Sequence, residues 1–194
     1  YIRQLFFERF IYTTTFFGFT CLREVFTDIP SIKTLQLAVH RIPVTTGINP
    51  FILTHLEKIA PNLPLKDKVC ILMWDEVSIQ SSVTYDIRKD IICGLEDWGT
   101  NRTAKVADHA LVFMLRGLNS GWKLPISYSF CSKQTNTAQL LRCIKKHIQD
   151  VNKAGFYIVS TVCDQGSSNV AAIKELLLRT NIKQRLENRT ESKY

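Results

Sequence analysis

Long apolar runs are missing from this chain of 194 residues. No stretch approaches the ~18 consecutive apolar side chains of a membrane helix, so no membrane partner is expected. Cysteine pairs at metal-binding spacing are missing too. Cys21, Cys70, Cys93, Cys131, Cys143 and Cys163 form no Cys-x-x-Cys, which argues against a zinc site and for a reducing compartment. The chain starts at Tyr1 with no leader-like order of positive charge, apolar stretch and small residues; the expectation is a fragment whose true start is missing. Acidic residues are in short supply, 17 Asp and Glu against 25 Lys and Arg, a net charge of +8. Nucleic acid is the commonest partner of such a balance. What is present, 45% hydrophobic residues, suffices for one globular domain and an appendage.

The chemistry-bearing stretch is Val69-Cys70-Ile71-Leu72-Met73-Trp74, which ends in Asp75-Glu76. The unbroken apolar run predicts a strand buried on both faces. A carboxylate at its end is held rigidly and partly desolvated, a costly place without a partner or a metal. The pattern recurs at Tyr157 to Cys163, followed by Asp164. The plain alternative for each acid is a turn or helix cap, above all for Asp164 before Gly166-Ser167-Ser168.

Upstream, residues 1–27 are rich in aromatics and read as a packing segment. Ser31 caps a predicted helix carrying Leu35, Leu37 and Ala38. Asn49-Pro50 opens another, with Phe51, Ile52, Leu53, Leu56 and Ile59 on one side and Pro61 ending it. This pair is either a helix-turn-helix-like unit over 29–60 or a helical collar. Downstream, Ile79 to Tyr85 alternates as a half-exposed strand, Asp86 to Asp90 turns, and Ile91 to Leu95, Ala110 to Leu115 and Leu124 to Phe130 read as further strands of an antiparallel meander. Thr135 or Asn136 caps the clearest helix, with Leu141, Ile144, Ile148 and Val151 inward, until Gly155 stops it. After the strand at 157–163, Ser167 or Ser168 caps a last helix that buries Val170, Ile173, Leu176 and Leu177. The polar tail from Lys183 is expected to fray.

Meander, helix, strand, helix is the ribonuclease H-like order: an α/β fold with a mixed sheet, here incomplete and preceded by a short helical segment. The expected division is a helical and aromatic segment at 1–64, a partial core at 65–182 and a disordered tail at 183–194. In that topology Asp75 and Asp164 share one edge of the sheet. Two neighbouring carboxylates repel, and Mg²⁺ or Mn²⁺, which prefer oxygen ligands, relieve the repulsion.

Residues 29 to 180 resemble the catalytic core of P-element-type transposases, the family that includes proteins with THAP zinc fingers. The resemblance rests on Tyr85-Asp86-x3-Asp90-x3-Gly94-x2-Asp97-x-Gly99, on His109 to Leu118, on Cys163-Asp164-Gln165-Gly166-Ser167-Ser168-Asn169, and on Ile29-Pro30-Ser31-x2-Thr34-Leu35. It implies DNA cutting and strand transfer in the nucleus by an acidic triad with Mg²⁺ or Mn²⁺. Asp75 and Asp164 then stand for the first two acids, as catalytic and metal-binding residues. Glu76, on the opposite face of a strand, is the poorer ligand. The family's third acid, a Glu, lies beyond a GTP-binding insertion, and the expectation is that this sequence stops at Tyr194 before either; Glu175, Glu187 and Glu191 do not match that position. The expectation is therefore a fragment inactive on its own, with DNA or a second copy of the chain as partner. A non-catalytic, domesticated or decayed remnant that binds DNA or a protein is the alternative. Arg102, Lys105, Arg116 and Lys123 are weak candidates for phosphate contact. His109 reads as structural, and Trp74, Trp98 and Trp122 as packing.

Overall fold

Apolar strands need partners for their backbone groups and cover for their side chains, and the chain supplies both around Val69–Ser78. The computed structural model describes residues 33–34, 45–87 and 90–191. The chain divides after Thr45 into two compact units. In the first, Lys33 and Thr34 are helical. The aromatic segment at 1–27, the rest of the first expected helix and the stretch up to residue 44 lie outside the described residues, as does any test of a helix-turn-helix at 29–60.

The second unit runs, in order, β1 (Gly47–Ile48), α1 (Pro50–Ile59), α2 (Leu65–Lys68), β2 (Val69–Ser78), β3 (Thr84–Asp86), β4 (Ile91–Cys93), β5 (Leu95–Asp97), β6 (Arg102–Val106), β7 (His109–Gly117), β8 (Lys123–Cys131), α3 (Thr137–Lys153), β9 (Tyr157–Val162) and α4 (Ser167–Glu191). The main sheet has the order β6-β5-β8-β7-β2-β9, with β1 added to β8, and β3 and β4 form a separate ribbon. β2, β7 and β8 are antiparallel neighbours, while β9 runs parallel to β2. The expected mixed α/β sheet is thus present, with β2 between its antiparallel and parallel parts. The helix between β8 and β9 supplies the crossover that a parallel pair requires.

Burial along β2 alternates. Cys70, Leu72 and Trp74 enter a core with Phe113, Leu115, Ile126, Ile144, Val151 and Phe156. Val69, Ile71 and Met73 are only half-buried, so the strand is not covered on both faces as its composition suggests. Burial keeps the thiols inert: Cys70 is pushed up to about 11 and Cys131 to about 12.

Both clear helices start where their caps predict. The Asn49 side chain accepts from Phe51 N at 3.0 Å, and Asn136 Oδ1 accepts from Gln139 N at 2.9 Å. α1 buries Ile52 and Leu56 in the sheet's own core, while Phe51 is exposed. The helix is therefore part of the compact unit that begins at Thr46, not of a preceding segment ending at 64. α3 buries Leu140, Leu141, Ile144, His147 and Val151. Gly155, at φ +87°, ends it in the left-handed conformation.

The stretch between β2 and β7 departs most from the pattern reading. Residues 79–83 are irregular, not strand, and the 91–95 strand is broken into β4 and β5 by Gly94. β6, rich in polar residues at the sheet edge, was hidden in the sequence because an edge strand needs no apolar alternation. α4 also differs. It remains helical past Lys183 to Glu191, where polarity suggested fraying and disorder. It buries Ala172, with Ile173 and Leu176 half-buried, whereas Val170 and Leu177 are exposed.

Among the described residues β9 pairs with β2 alone, through a register shift that leaves Val159 out of the ladder and 60% exposed. An apolar edge of this kind promotes association between chains. Val159→Lys should lower self-association in sedimentation velocity while moving the unfolding free energy by less than about 0.5 kcal/mol. Unchanged association would place the sticky surface elsewhere.

Candidate metal centre

β2 and β9 run parallel, so their carboxyl ends lie at the same end of the sheet. Their last paired residues are Met73 and Val162. Asp75 and Asp164 each stand two residues beyond that pair, Asp75 still within β2 and opposite Val112 of β7, Asp164 past the end of β9, so both follow the last rung of the β2–β9 ladder. Both are exposed.

Each carboxylate is held by one oxygen. Asp75 Oδ1 accepts from Glu76 N at 2.8 Å. Asp164 Oδ1 accepts from Gly166 N at 3.1 Å and from the Asn169 side-chain amide. The first of these makes Asp164 a turn former as well as a candidate ligand, so the two readings of this residue coexist. The second oxygen of each acid makes no hydrogen bond among the described residues. Two exposed carboxylates with free oxygens, both just past the last rung of the β2–β9 ladder, form an all-oxygen donor set. That chemistry fits Mg²⁺ or Mn²⁺, which retain waters and take one or two carboxylates from the protein. No cluster of three or more His, Cys, Asp or Glu suited to a metal occurs among the described residues.

Glu76 faces away from this pair. Its Oε1 accepts from both Thr135 N and Thr135 Oγ1 at 2.9 Å, so it ties β2 to the start of α3. His109 is equally structural in its contacts. Its Nδ1 lies 2.8 Å from Asp108 Oδ1 and its Nε2 3.4 Å from Ser78 Oγ, its cross-strand partner. The hydrogen bond with His109, and next the one from Lys133 N, lower the Asp108 pKa below its usual value.

The four basic candidates are exposed but not gathered. Arg116 and Lys123 face each other across β7 and β8, at the end of the sheet opposite Asp75. Arg102 and Lys105 lie on β6, the far edge strand, and the Arg102 guanidinium bonds to Ile92 O. Sequence reasoning gave no role to two residues that matter, one of them, Asn169, the last residue of the 163–169 motif. Asn169 grips Asp164, and the buried His147 sits on the apolar face of α3. Spacing could have flagged the second, three residues after Ile144 and four before Val151.

Residues 44–177 match the family model described as TNP-like, RNase H N-terminal domain. The chain belongs to this family. Its RNase H-like domain is of the P-element transposase type, as the resemblance implied. The Transposable element P transposase of Drosophila melanogaster is 26% identical over 110 residues, 57% of this chain and 12% of that protein. Among solved structures, the Drosophila P element transposase strand transfer complex matches with a TM-score of 0.53 and 22% identity, over 86% of this chain and 34% of that one. This TNP-like domain thus spans a small part of the length of the relatives it matches.

The signature that carried the resemblance turns out to shape the backbone. Tyr85 donates its hydroxyl to Asp90, Asp97 Oδ1 accepts from Gly99 N at 2.9 Å, and Gly94 and Gly99 both have positive φ. A side chain on Gly99 would meet Thr46 O at 2.5 Å. These residues route the β3–β6 excursion that the TNP-like domain carries between β2 and β7; none of them touches Asp75 or Asp164 in the hydrogen bonds described above.

Proposed function

We propose that this chain is part of a metal-dependent DNA transposase catalytic domain, in which Asp75 and Asp164 hold a divalent cation for phosphodiester cleavage and strand transfer. The observation that supports it is the register of β2 and β9, in which both acids follow the last paired residues by two positions. Family membership and the transposase relatives point the same way. Mg²⁺ or Mn²⁺, when bound, supplies Lewis-acid polarisation of phosphate and hydroxyl oxygens. The chain's own part is rigid placement. The β2–β7 ladder, in which Asp75 stands opposite Val112, fixes Asp75, and the turn at Gly166 fixes Asp164. The net charge of +8 favours DNA as the partner, and the reading places the work in the nucleus, on genomic DNA. A role for GTP, and for pairing with a second copy, belongs to this reading of the whole protein.

A second reading, a remnant that binds DNA or a protein without catalysis, draws on the presence of only two carboxylates at this point among the described residues. A metal titration separates the two. Mg²⁺ should shift, and Mn²⁺ broaden, the amide resonances around Asp75 and Asp164, and both effects should vanish in Asp75→Ala and Asp164→Ala. Absence of any response there in the unaltered chain would sink the catalytic reading and leave the remnant. DNA binding measured by gel shift should weaken steeply with salt, as phosphate contact demands.

A further inference from the structure

Asn169, in the first turn of α4, touches two groups of opposite hydrogen-bonding character. Trp74 Nε1 donates to its Oδ1 at 2.8 Å, and its Nδ2 donates to Asp164 Oδ1. An indole N–H can only donate and a carboxylate can only accept. Both contacts therefore require the same orientation of the amide, which removes the usual ambiguity between its oxygen and nitrogen. With the amide reversed, N–H would face N–H and oxygen would face oxygen.

Trp74 is itself immobilised. It is 4% exposed, its ring centroid lies 5.7 Å from that of Phe113, and it immediately precedes Asp75 on β2. A core side chain of the strand that carries one acid thus orients the group that grips the other. Gly166 N donates to the same Asp164 Oδ1, so that oxygen is doubly engaged, while Oδ2 has no hydrogen bond among the described residues.

From this we infer that Asn169, oriented by Trp74, is a positioning residue that occupies Oδ1 of Asp164 and leaves Oδ2 presented to a divalent cation. The inference rests on reading Asp75 and Asp164 as a cation site, and it extends that reading to two residues that do not touch the cation. It also links the Trp74-Asp75 and Asp164-x4-Asn169 spacings: the residue before one acid orients the amide that grips the other.

The test is a Mg²⁺ titration of the 194-residue chain by NMR, following the Asp164 amide, the Asn169 side-chain NH₂ pair and the Trp74 indole N–H. In the unaltered chain all three should shift together and saturate with one affinity. Asn169→Ala should weaken Mg²⁺ binding about 10–100-fold, the usual effect of losing a group that orients a ligand. Trp74→Phe keeps most of the ring volume and deletes only the N–H. It should weaken binding in the same direction by a smaller factor and uncouple the Asn169 NH₂ shifts from the titration. Thermal melts monitor folding in parallel, and Asn169→Ala, at a half-buried surface position, decides alone if Trp74→Phe loosens the core. Wild-type affinity in folded Asn169→Ala overturns the inference and leaves the cation site intact. Failure of the Asp164 amide to respond in the unaltered chain overturns the cation site itself, and the inference with it.

Discussion

Acidification from pH 7 to pH 4 should cost the fold about 3 kcal/mol through His147 alone. This residue is 4% exposed on the inner face of α3. Its ring stacks on Phe113 at 4.0 Å. Nδ1 lies 2.6 Å from Cys143 O, and a carbonyl only accepts, so Nδ1 carries the proton of the neutral ring. Nε2 is then the acceptor, taking the Ser127 hydroxyl at 2.5 Å. Burial pushes the His147 pKa down to about 4, against an ordinary value of 6.5. Above pH 6.5 the ring is neutral in both folded and unfolded chains and has no effect on stability. As the pH falls from 6.5 towards 4 the unfolded chain takes up a proton that the folded chain refuses, and stability is lost across that window. A further fall below 4 adds little from this group. Urea unfolding at pH 7 and at pH 4 should show the loss in the native chain and a shallower pH dependence in His147→Leu. That variant itself loses the Ser127 partner and part of the ring stack, so the comparison is between slopes and not between absolute stabilities. Equal slopes would remove His147 from the account.

His147 also shows where sequence reading stops. Its position on the apolar stripe of α3 was legible by helical spacing, but its neutrality depends on Phe113 and Ser127, from strands far off in the chain. The same divide runs through the fold. β2, β7, β8, α3 and β9 were readable because each carries a long apolar signal or a cap. Asn136, Gly155 and the run before Asp75 each act through their immediate neighbours. In the stretch from Ile79 to Val106 the turn after Asp86 and a strand from Ile91 were readable, but the irregular 79–83 segment, the break at Gly94 and β6 were not, because register and backbone approach shape them more than an apolar pattern does. Phe51, Val170 and Leu177 were assigned inward by period, and all three are exposed. A helix's period says which residues share a face but not how much of that face a neighbour covers. The two acids proposed for the site were picked out by the apolar runs that precede them. Asn169 closed the 163–169 motif, but its part in the site was not legible, since an amide in the first turn of a helix has no pattern of its own until Trp74 and Asp164 are placed around it.

Gly94→Ala should destabilise the chain by about 3 kcal/mol, combining backbone strain with overpacking. For a unit of this size that corresponds to a fall of roughly 10 °C in the melting temperature. Gly94 has φ +94°, and a Cβ there would lie 1.8 Å from Ser82 O and 2.9 Å from Ser82 C. Those atoms are backbone and cannot swing aside as a flexible side chain would. Relief requires the 79–83 segment to move away, yet that segment is anchored by Ile79 N bonding to Asp108 O at 2.8 Å, and Gly94 O is itself held by Ala107 N at 2.9 Å. Gly121 provides the internal control. It also has positive φ, +68°, but a Cβ there meets nothing within 4 Å. Gly121→Ala should therefore cost only the left-handed backbone term, about 1 kcal/mol. The difference between the two variants measures the close approach at Ser82 by itself. Equal melting temperatures would show that the 79–83 segment yields freely, and that Gly94 is required for its φ alone. Because Gly94 lies on the excursion between β2 and β7 and not at the ends of β2 and β9, Mg²⁺ affinity at Asp75 and Asp164 in the folded Gly94→Ala chain should equal that of the unaltered one. That outcome would separate the two halves of the family resemblance: Tyr85 to Gly99 as the route of the backbone, and Asp75 with Asp164 as its chemistry.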